Sequence, residues 1–224
     1  MKDLTLIIPT KNESESLPHV LQELERLNLE FLVVMEKKDF VTRNSINNFK
    51  SKIIFQENKG YGDAILLGLK SVNTKYFLIY NADGSMDPNE IPDFYKNLIE
   101  GQIDLLFGSR YTKNGSSEDD TIVTYLGNQI FTTIGKVFFS LPLTDILYTY
   151  VMGVTKKILS LNLARKDFRF CVELPIKAKR NKLRLGDISS KEKLRIGGVK
   201  KVNAFRDGFL ILMEMIYLFF NTKK

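Results

Sequence analysis

Short, continuous apolar runs separated by polar stretches dominate the first half of the chain. Because these runs do not alternate polar and apolar positions, they predict strands that are buried on both faces. After the first run, Leu17, Val20, Leu21 and Leu24 recur at helical spacing. Strands that alternate with helices predict an α/β fold with a mostly parallel, Rossmann-like sheet flanked by helices. The predicted strands are residues 4–10, 31–35, 52–56, 76–80 and 103–107.

The pattern changes after the fifth predicted strand. A polar loop over residues 112–120 precedes predicted helices over 121–142, 172–182 and 203–220, with one more strand over 183–188. We therefore expect a core over residues 1–120. Residues 121–224 should form a helical C-terminal extension that folds over the ligand crevice within the same structural body.

Composition narrows the possible chemistry. Of the 224 residues, 44% are hydrophobic and 26% are charged, which is typical of a globular protein and excludes a wholly disordered chain. The single cysteine, Cys171, excludes an internal disulfide framework and thiolate-rich zinc sites. The single histidine, His19, excludes most histidine-based sites. A chain with one cysteine and no disulfide framework fits a reducing, cytoplasmic compartment.

The net charge of +7 is concentrated near the C-terminus. Residues 156–206 contain 16 Lys or Arg and 4 Asp or Glu, a local net charge of +12. Such a segment suits a phosphorylated ligand or an anionic lipid surface, or it is simply a solvated helix face. No helix-turn-helix or RNP-type motif accompanies the charge, so nucleic acid is not expected as a partner.

The most apolar stretches are too short to span a membrane. Residues 209–220 are interrupted by Glu214, and no stretch reaches the roughly 18 apolar residues of a spanning helix. We expect a cytoplasmic protein that can lie peripherally on the inner face of the membrane. A homodimer interface is the alternative use of the same apolar segment.

Polar residues cluster where each predicted strand ends. In open parallel sheets, ligands bind at the carboxyl ends of the strands, beside a topological switch point. These strand-end residues are therefore candidates for a binding site. They include Glu13, Glu36, Asp63, Asp83 and Arg110.

Asn81-x-Asp83, with Ser85 nearby, is a candidate platform for Mg²⁺ or Mn²⁺, which take oxygen ligands from one or two carboxylates and substrate phosphates. A polar turn before a helix capped by Asp87 explains the same residues equally well. The basic loop over residues 195–201 contains two glycines and could fold over a diphosphate, or it could be an exposed loop.

Taken together and in order, several segments resemble the family 2 glycosyltransferases of GT-A fold. The likeness is greatest to dolichol-phosphate mannose synthase and the polyprenol-phosphate glycosyltransferases. It covers nearly the whole chain. The segments are IIPTKNE (7–13), NKGYGDAILLGL (58–69), NADGSMDPNEIP (81–92), GSRY (108–111), FRFCVELPIKAKR (168–180) and RIGGVKKVNAFRDGFLIL (195–212).

The resemblance implies roles for particular residues. Residues 1–120 would bind a nucleotide-diphosphate sugar of GDP or UDP type, and residues 121–224 would face the acceptor. Asp83 would bind the metal, and the neighbouring Asn81 and Ser85 are the further candidate ligands. The candidate catalytic residues are Asp83, Asp145 and Glu173. By resemblance, Thr10, Glu13 and Glu36 would hold the nucleoside, and Asp63 would lie near the base and ribose. Arg195 and Lys201 would contact the diphosphate. Further candidate donor-binding residues are Pro9, Gly60, Ala82 and Arg110.

The implied activity is sugar transfer with inversion at the anomeric carbon, in cell-envelope glycan synthesis. A hydroxyl acceptor would need a general base, for which Asp145 or Glu173 is the best candidate. A phosphate acceptor needs none, which favours a lipid phosphate at the membrane surface.

Three departures from the family pattern matter. Asn81 stands where the family usually has aspartate, Met35-Glu36 replaces an Asp-Asp pair, and residues 146–153 lack an expected arginine. A non-catalytic, nucleotide-sugar-binding relative with a regulatory role is therefore the main alternative. A dinucleotide-dependent oxidoreductase is disfavoured because no Gly-x-Gly-x-x-Gly follows the first strand.

Overall fold

The computed structural model describes residues 1–197 and 201–221. Within these residues, a seven-stranded sheet has the order β3-β2-β1-β4-β7-β5-β8, and β6 and β9 form a separate two-stranded sheet. The strands are β1 (Leu4–Thr10), β2 (Glu30–Glu36), β3 (Lys52–Gln56), β4 (Tyr76–Ile79), β5 (Leu105–Ser109), β6 (Ser116–Ser117), β7 (Val151–Val154), β8 (Leu185–Ser189) and β9 (Lys191–Glu192). The helices are α1 (Leu17–Glu25), α2 (Phe40–Ser45), α3 (Tyr61–Ser71), α4 (Ile91–Glu100), α5 (Ile122–Phe139), α6 (Thr155–Leu159), α7 (Phe170–Arg180) and α8 (Ala204–Phe220).

The predicted α/β class with a mostly parallel sheet is confirmed. β1 pairs in parallel with both β2 and β4, and β5 pairs in parallel with β8. The exception is β7, which lies antiparallel between β4 and β5. The sequence pattern did not predict β7, because its four residues are too short a run to stand out from their apolar surroundings.

Two apolar layers cover the sheet because successive strand residues point to opposite faces. Ile7 packs in the layer that includes α3, α7 and α8, whereas the adjacent Leu6 and Ile8 pack with α1 and α4. Each layer is continuous, so the helices on both faces are anchored to the same strands.

The second half of the chain contributes to the central sheet. β7 and β8 both come from residues after 120 and flank β5 on its two sides. The predicted boundary at residue 120 stays a prediction. Within residues 1–197 and 201–221, no helix has both the length and the apolar character that crossing a bilayer requires.

The strand order also positions the candidate site. The chain leaves β1 toward β2 on one side, while β4 lies on the other side of β1. A switch point of this kind opens a crevice at the carboxyl ends of β1 and β4. Thr10 and the turn that begins at Asn81 lie at that edge.

Candidate functional site

Asp83 lies in the turn after β4, directly after the buried Ala82. Its Oδ1 accepts hydrogen bonds from the backbone N–H of Ser85 at 3.1 Å and from the Ser85 hydroxyl at 2.7 Å. Gly84 allows this turn because its φ is +79°, a conformation that side chains disfavour. These bonds fix the orientation of the Asp83 carboxylate and leave Oδ2 turned toward Arg195, 3.7 Å from Nη1.

The start of the basic loop runs beside this turn. The backbone N–H of Lys193 donates to the carbonyl of Ser85 at 2.8 Å, and that of Ile196 donates to the carbonyl of Asp83 at 2.9 Å. A Cβ added to Gly84 would lie 2.5 Å from Cδ1 of Ile196, so the two segments are in close contact. Backbone pairing therefore places Arg195 at Asp83, independently of their charges.

Asp119 is the principal ion-pair partner of Arg195. Its carboxylate lies 2.9 Å from Nη2 and 3.4 Å from Nε of the guanidinium. The hydrogen bond to Asp119 raises the pKa of Arg195, so this residue stays cationic. The parallel pairing of β6 with β9 brings the two segments together. Sequence reasoning treated residues 112–120 only as a polar surface loop and missed Asp119.

The far end of the basic loop reaches the end of β1. Lys201 Nζ lies 3.0 Å from Oε1 of the buried Glu13, whose Oε2 accepts a hydrogen bond from Ser16 at 2.9 Å. Gly198, Val199 and Lys200, which belong to the predicted diphosphate loop, lie outside the described residues. Two cations, Arg195 and Lys201, are thus held at the ends of β4 and β1.

Asn81 is engaged by a neighbouring tyrosine. The Tyr61 hydroxyl donates to Oδ1 of Asn81 at 3.0 Å and lies 2.5 Å from the hydroxyl of Thr149. Burial raises the pKa of Tyr61, so its hydroxyl stays protonated, and its ring stacks on Phe168 at 5.2 Å. The amide oxygen that would serve a metal is therefore already a hydrogen-bond acceptor.

The turn after β4 fits a divalent cation held by one carboxylate. Over residues 1–197 and 201–221, no group of three or more His, Cys, Asp and Glu side chains forms a ready metal cluster. Mg²⁺ commonly binds through one or two carboxylates while substrate phosphates and water complete its shell. Asp83, whose carboxylate is oriented by Ser85, supplies the one carboxylate that such a site needs.

A cleft of about 500 Å³ lies between the ends of β1 and β2 and the start of α2. Glu36 lies at its wall, 3.2 Å from Nζ of Lys11 and 3.3 Å from Nζ of Lys38. Burial acts to raise the pKa of Glu36, but the two ammonium groups outweigh it and hold this pKa below its ordinary value. The exposed ring of Phe40 also lines the cleft.

The neighbouring strand end is more enclosed. Pro9 and Thr10 are buried at the end of β1, and the Thr10 hydroxyl donates to the carbonyl of Ile8 at 3.1 Å. Their predicted contact with the donor stays a prediction.

The glycine-rich turn before α3 packs against the protein itself. Gly60 has a φ of +123°, and a Cβ there would lie 2.1 Å from the carbonyl oxygen of Lys166. Asp63 accepts a hydrogen bond from Gln56 at 3.3 Å and lies 3.7 Å from Nζ of Lys166. The close approach that requires Gly60 therefore comes from the 165–167 backbone, and the roles of Gly60 and Asp63 in donor binding stay predictions.

Arg110 and Asp145 form a buried ion pair. Nε of Arg110 lies 2.7 Å from Oδ2 of Asp145, and Nη2 lies 3.1 Å from Oδ1. Nη1 lies 3.1 Å from Glu192, and the guanidinium stacks over the ring of Tyr148. Burial acts to lower the pKa of Arg110, but Asp145 outweighs it and raises that pKa well above its ordinary value. This pair links β5 to the segment before β7.

Glu173 lies on α7 and binds a different part of the chain. Its carboxylate is 2% exposed, accepts hydrogen bonds from the backbone N–H groups of Ala164 and Arg165, and lies 2.8 Å from Nζ of Lys177. It thus holds the loop that packs against Gly60.

The structure brings four of the predicted residues to one crevice: Asp83, Ser85, Arg195 and Lys201. Arg195 lies beside Asp83 after β4, and Lys201 lies beside Glu13 after β1. Asp145 and Glu173 instead form ion pairs away from this crevice, with Arg110 and Lys177 respectively. Asp119 and Tyr61 were missed because the ion pair and hydrogen bond that reveal their roles join segments 76 and 20 residues apart.

Comparison with known proteins defines the class. The model of the family "Glycosyl transferase family 2" matches residues 5–158, and the chain belongs to this family. An uncharacterized glycosyltransferase of Mycobacterium tuberculosis is 27% identical over 210 residues, covering 93% of both chains. A UDP-N-acetylglucosamine–dolichyl-phosphate N-acetylglucosaminyltransferase of Methanococcus voltae is 26% identical over 217 residues, covering 85% of both.

Solved structures confirm the predicted GT-A fold. Glucosyl-3-phosphoglycerate synthase of Mycobacterium tuberculosis, in complex with Mn²⁺, UDP-glucose and phosphoglyceric acid, superposes with a TM-score of 0.78 at 13% identity. The match covers 97% of this chain and 80% of the synthase. The expected family and fold are therefore both confirmed.

Proposed function

We propose that this protein is an inverting glycosyltransferase that moves a sugar from a nucleoside-diphosphate sugar, of GDP or UDP type, to a phosphate acceptor. The observation that carries the proposal is the placement of Arg195 and Lys201 beside Asp83 and Glu13, at the carboxyl ends of β4 and β1. Fixed cations in such a crevice suit a leaving group that gains negative charge.

In the proposed reaction, an acceptor oxygen attacks the anomeric carbon from the side opposite the diphosphate. The bond between that carbon and the diphosphate oxygen breaks, and its electron pair stays on the diphosphate. Arg195 and Lys201 would bind the diphosphate and stabilise that charge. Mg²⁺ or Mn²⁺ held by Asp83 would neutralise part of the same charge.

The acceptor is proposed to be a phosphate because the candidate bases are occupied. Asp145 is fully buried against Arg110, and Glu173 is bound by two backbone N–H groups and Lys177. A phosphate is already anionic at neutral pH and needs no base. The Methanococcus voltae relative, whose name includes dolichyl phosphate, supports a polyprenol phosphate as the acceptor. We propose that the protein meets this acceptor from the cytoplasm, at the inner surface of the membrane.

The test begins with calorimetric titration of UDP, GDP, dTDP and CDP, each with and without Mn²⁺. We expect one nucleotide to bind, with higher affinity when Mn²⁺ is present. Asp83→Ala should remove the metal-dependent part, and Arg195→Ala should weaken binding in both conditions. Lys179→Ala, which removes an exposed cation from the same basic segment, is the control. Absence of binding by all four nucleotides would overturn the proposal.

A second candidate is a nucleotide-sugar-binding relative without turnover. The observation that favours it is Asn81, which brings no charge and is held by Tyr61. Transfer of labelled sugar from the bound donor to polyprenyl phosphate or 3-phosphoglycerate distinguishes the two. Tight donor binding without transfer to any acceptor supports the second candidate.

A further inference from the structure

The two longest helices, α5 and α8, expose a broad apolar surface. Exposed residues recur along α8 with spacings of three and four, which places them on one side of the helix. Phe205 and Phe209 are 83% and 62% exposed, respectively. We call the following set the apolar face: Ile122, Val123, Leu126, Ile130, Val137 and Phe138 on α5, and Phe205, Phe209, Leu212, Met213, Ile216, Phe219 and Phe220 on α8.

The two helices lie side by side, so their exposed residues form one surface. Near the start of α8, a Cβ on Gly208 would lie 3.9 Å from the ring of Phe131. At the other end, the rings of Phe138 and Phe219 are 5.8 Å apart at their centroids. Monomeric soluble proteins rarely leave large contiguous apolar patches exposed to water, so we expect the apolar face to be covered by a partner.

The charges on these helices indicate what that partner is. Over their described lengths, neither helix exposes an acidic side chain. Glu214 is buried at 2.8 Å from Nε of Arg165, and the half-buried Asp207 accepts a hydrogen bond from the backbone of Asn203. The exposed charges are the cations Lys136 and Arg206. Lys136 and Arg206 are next in sequence to Val137 and Phe205 of the apolar face. An apolar surface that has cations beside it and no exposed carboxylate is complementary to an anionic lipid bilayer.

Both helices also begin at the candidate site. α5 starts shortly after Asp119, which binds Arg195, and α8 starts shortly after Lys201, which binds Glu13. Leu194 and Ile196 are also exposed, and the backbone N–H of Ile196 donates to the carbonyl of Asp83, so apolar side chains lie beside the candidate site as well. An acceptor whose phosphate reaches Asp83 could therefore keep its hydrocarbon chain in the surface that the apolar face contacts.

We infer that the apolar face docks on the surface of an anionic lipid bilayer and delivers the crevice to phosphate headgroups there. This deepens the proposed function, because it assigns the surface through which a lipid phosphate acceptor is reached. The helices lie in the interface, with Lys136 and Arg206 on anionic headgroups and the phenylalanines in the acyl boundary.

The test is flotation of the full chain with vesicles of phosphatidylcholine alone or mixed equally with phosphatidylglycerol. We expect binding to the mixed vesicles that weakens as salt is added. The variant Phe209→Glu/Ile216→Glu should reduce the partition coefficient by about tenfold or more. The control is Ile99→Glu, an exposed apolar residue of α4 on the opposite side of the sheet, and it should bind like the wild type.

Circular dichroism and nucleotide titration show whether the variant still folds and still binds nucleotide. The Phe209→Glu/Ile216→Glu variant should retain the wild-type spectrum and nucleotide affinity, since neither residue is placed in the crevice. Equal vesicle binding by the wild type and this variant, or no binding by either, overturns the inference. Sedimentation that shows a dimer only for the wild type would assign the apolar face to a second copy instead. Nucleotide binding without vesicle binding rejects the docking surface but leaves the proposed function standing.

Discussion

Asp119 fixes the orientation of the Arg195 guanidinium in the crevice. It binds the Nε and Nη2 edge of the guanidinium and leaves Nη1 directed toward Asp83. A guanidinium held along one edge loses less freedom when its other edge binds a phosphate. We therefore propose that Asp119 positions Arg195, although it does not contact the proposed reacting atoms.

Replacing Asp119 by asparagine should weaken donor binding. We expect the Asp119→Asn variant to bind its nucleoside diphosphate about tenfold less tightly, because Arg195 loses a charge-assisted partner. Calorimetric titration measures the change, and KM for the donor should rise more than kcat falls. Glu118→Gln, which removes an exposed neighbouring carboxylate, is the matched control. Equal affinities in both variants would contradict the positioning role.

If Asp83 holds a divalent cation, as proposed, residue 81 sets how many carboxylates face that cation. In the Asn81→Asp variant, a second carboxylate would lie in the turn after β4, and we expect Mn²⁺ affinity to rise about tenfold. Direct Mn²⁺ titration without nucleotide measures this. Asn97→Asp, an exposed change of the same kind on α4, is the control. If Mn²⁺ affinity is unchanged, residue 81 does not face the ion, and Tyr61 is its functional partner.

At the scale of elements, buried carboxylates join segments that are distant in sequence. Asp104, just before β5, lies 2.7 Å from Nζ of Lys157 on α6 and accepts the backbone N–H before β8 at 2.9 Å. Burial acts to raise its pKa, but Lys157 and Arg184 outweigh it and hold this pKa below 3.8. The carboxylate thus stabilises the folded state when ionised.

This ion pair predicts how stability depends on pH. The pKa of Asp104 is lower in the folded state than its ordinary value of 3.8. The stability that the ionised carboxylate contributes is therefore fully present well above pH 3.8 and is lost as the pH falls through the folded-state pKa. We expect Asp104→Asn to lower the free energy of unfolding near neutral pH and to reduce its decline below about pH 4. Urea unfolding across this range measures both. Asp93→Asn, an exposed carboxylate on α4, should leave the pH profile unchanged.

The strands and long helices were largely predictable, and the exceptions have a common cause. The predicted strand over 52–56 has the same bounds as β3, and the predicted helix over 203–220 differs from α8 by one residue. The apolar 103–107 run instead forms β5 two residues later, and β7 was not predicted. Both differences arise from strand pairing. β5 takes its bounds from its hydrogen bonds to β7 and β8, and the local pattern of apolar residues does not reveal these pairings.

At the scale of the whole molecule, the central sheet ties the two halves of the chain together. β7 lies between β4 and β5, so residues 1–120 alone would leave a gap in the middle of the sheet. Apolar surface on both sides of that gap would be exposed to water. The halves are therefore expected to fold together.

This arrangement predicts one cooperative unfolding transition. Far-ultraviolet circular dichroism and tyrosine fluorescence of the full chain should change with the same denaturant midpoint. A fragment of residues 1–120 should show no cooperative transition, because β4 and β5 lose the strand that joins them. A fragment that unfolds cooperatively by itself would instead show that the core is an independent domain.

The sequence by itself determined the fold class, the family and the crevice edge where the polar strand ends gather. Apolar periodicity and ordered motifs are local in the chain, so they can be recognised without coordinates. Only the tertiary structure decided which charges meet: Arg195 with Asp119, Lys201 with Glu13, Asp145 with Arg110, and Tyr61 with Asn81. It also decided that α5 and α8 share one exposed apolar surface. The physical reason is that pairing between distant segments depends on strand order and register, which no local pattern encodes.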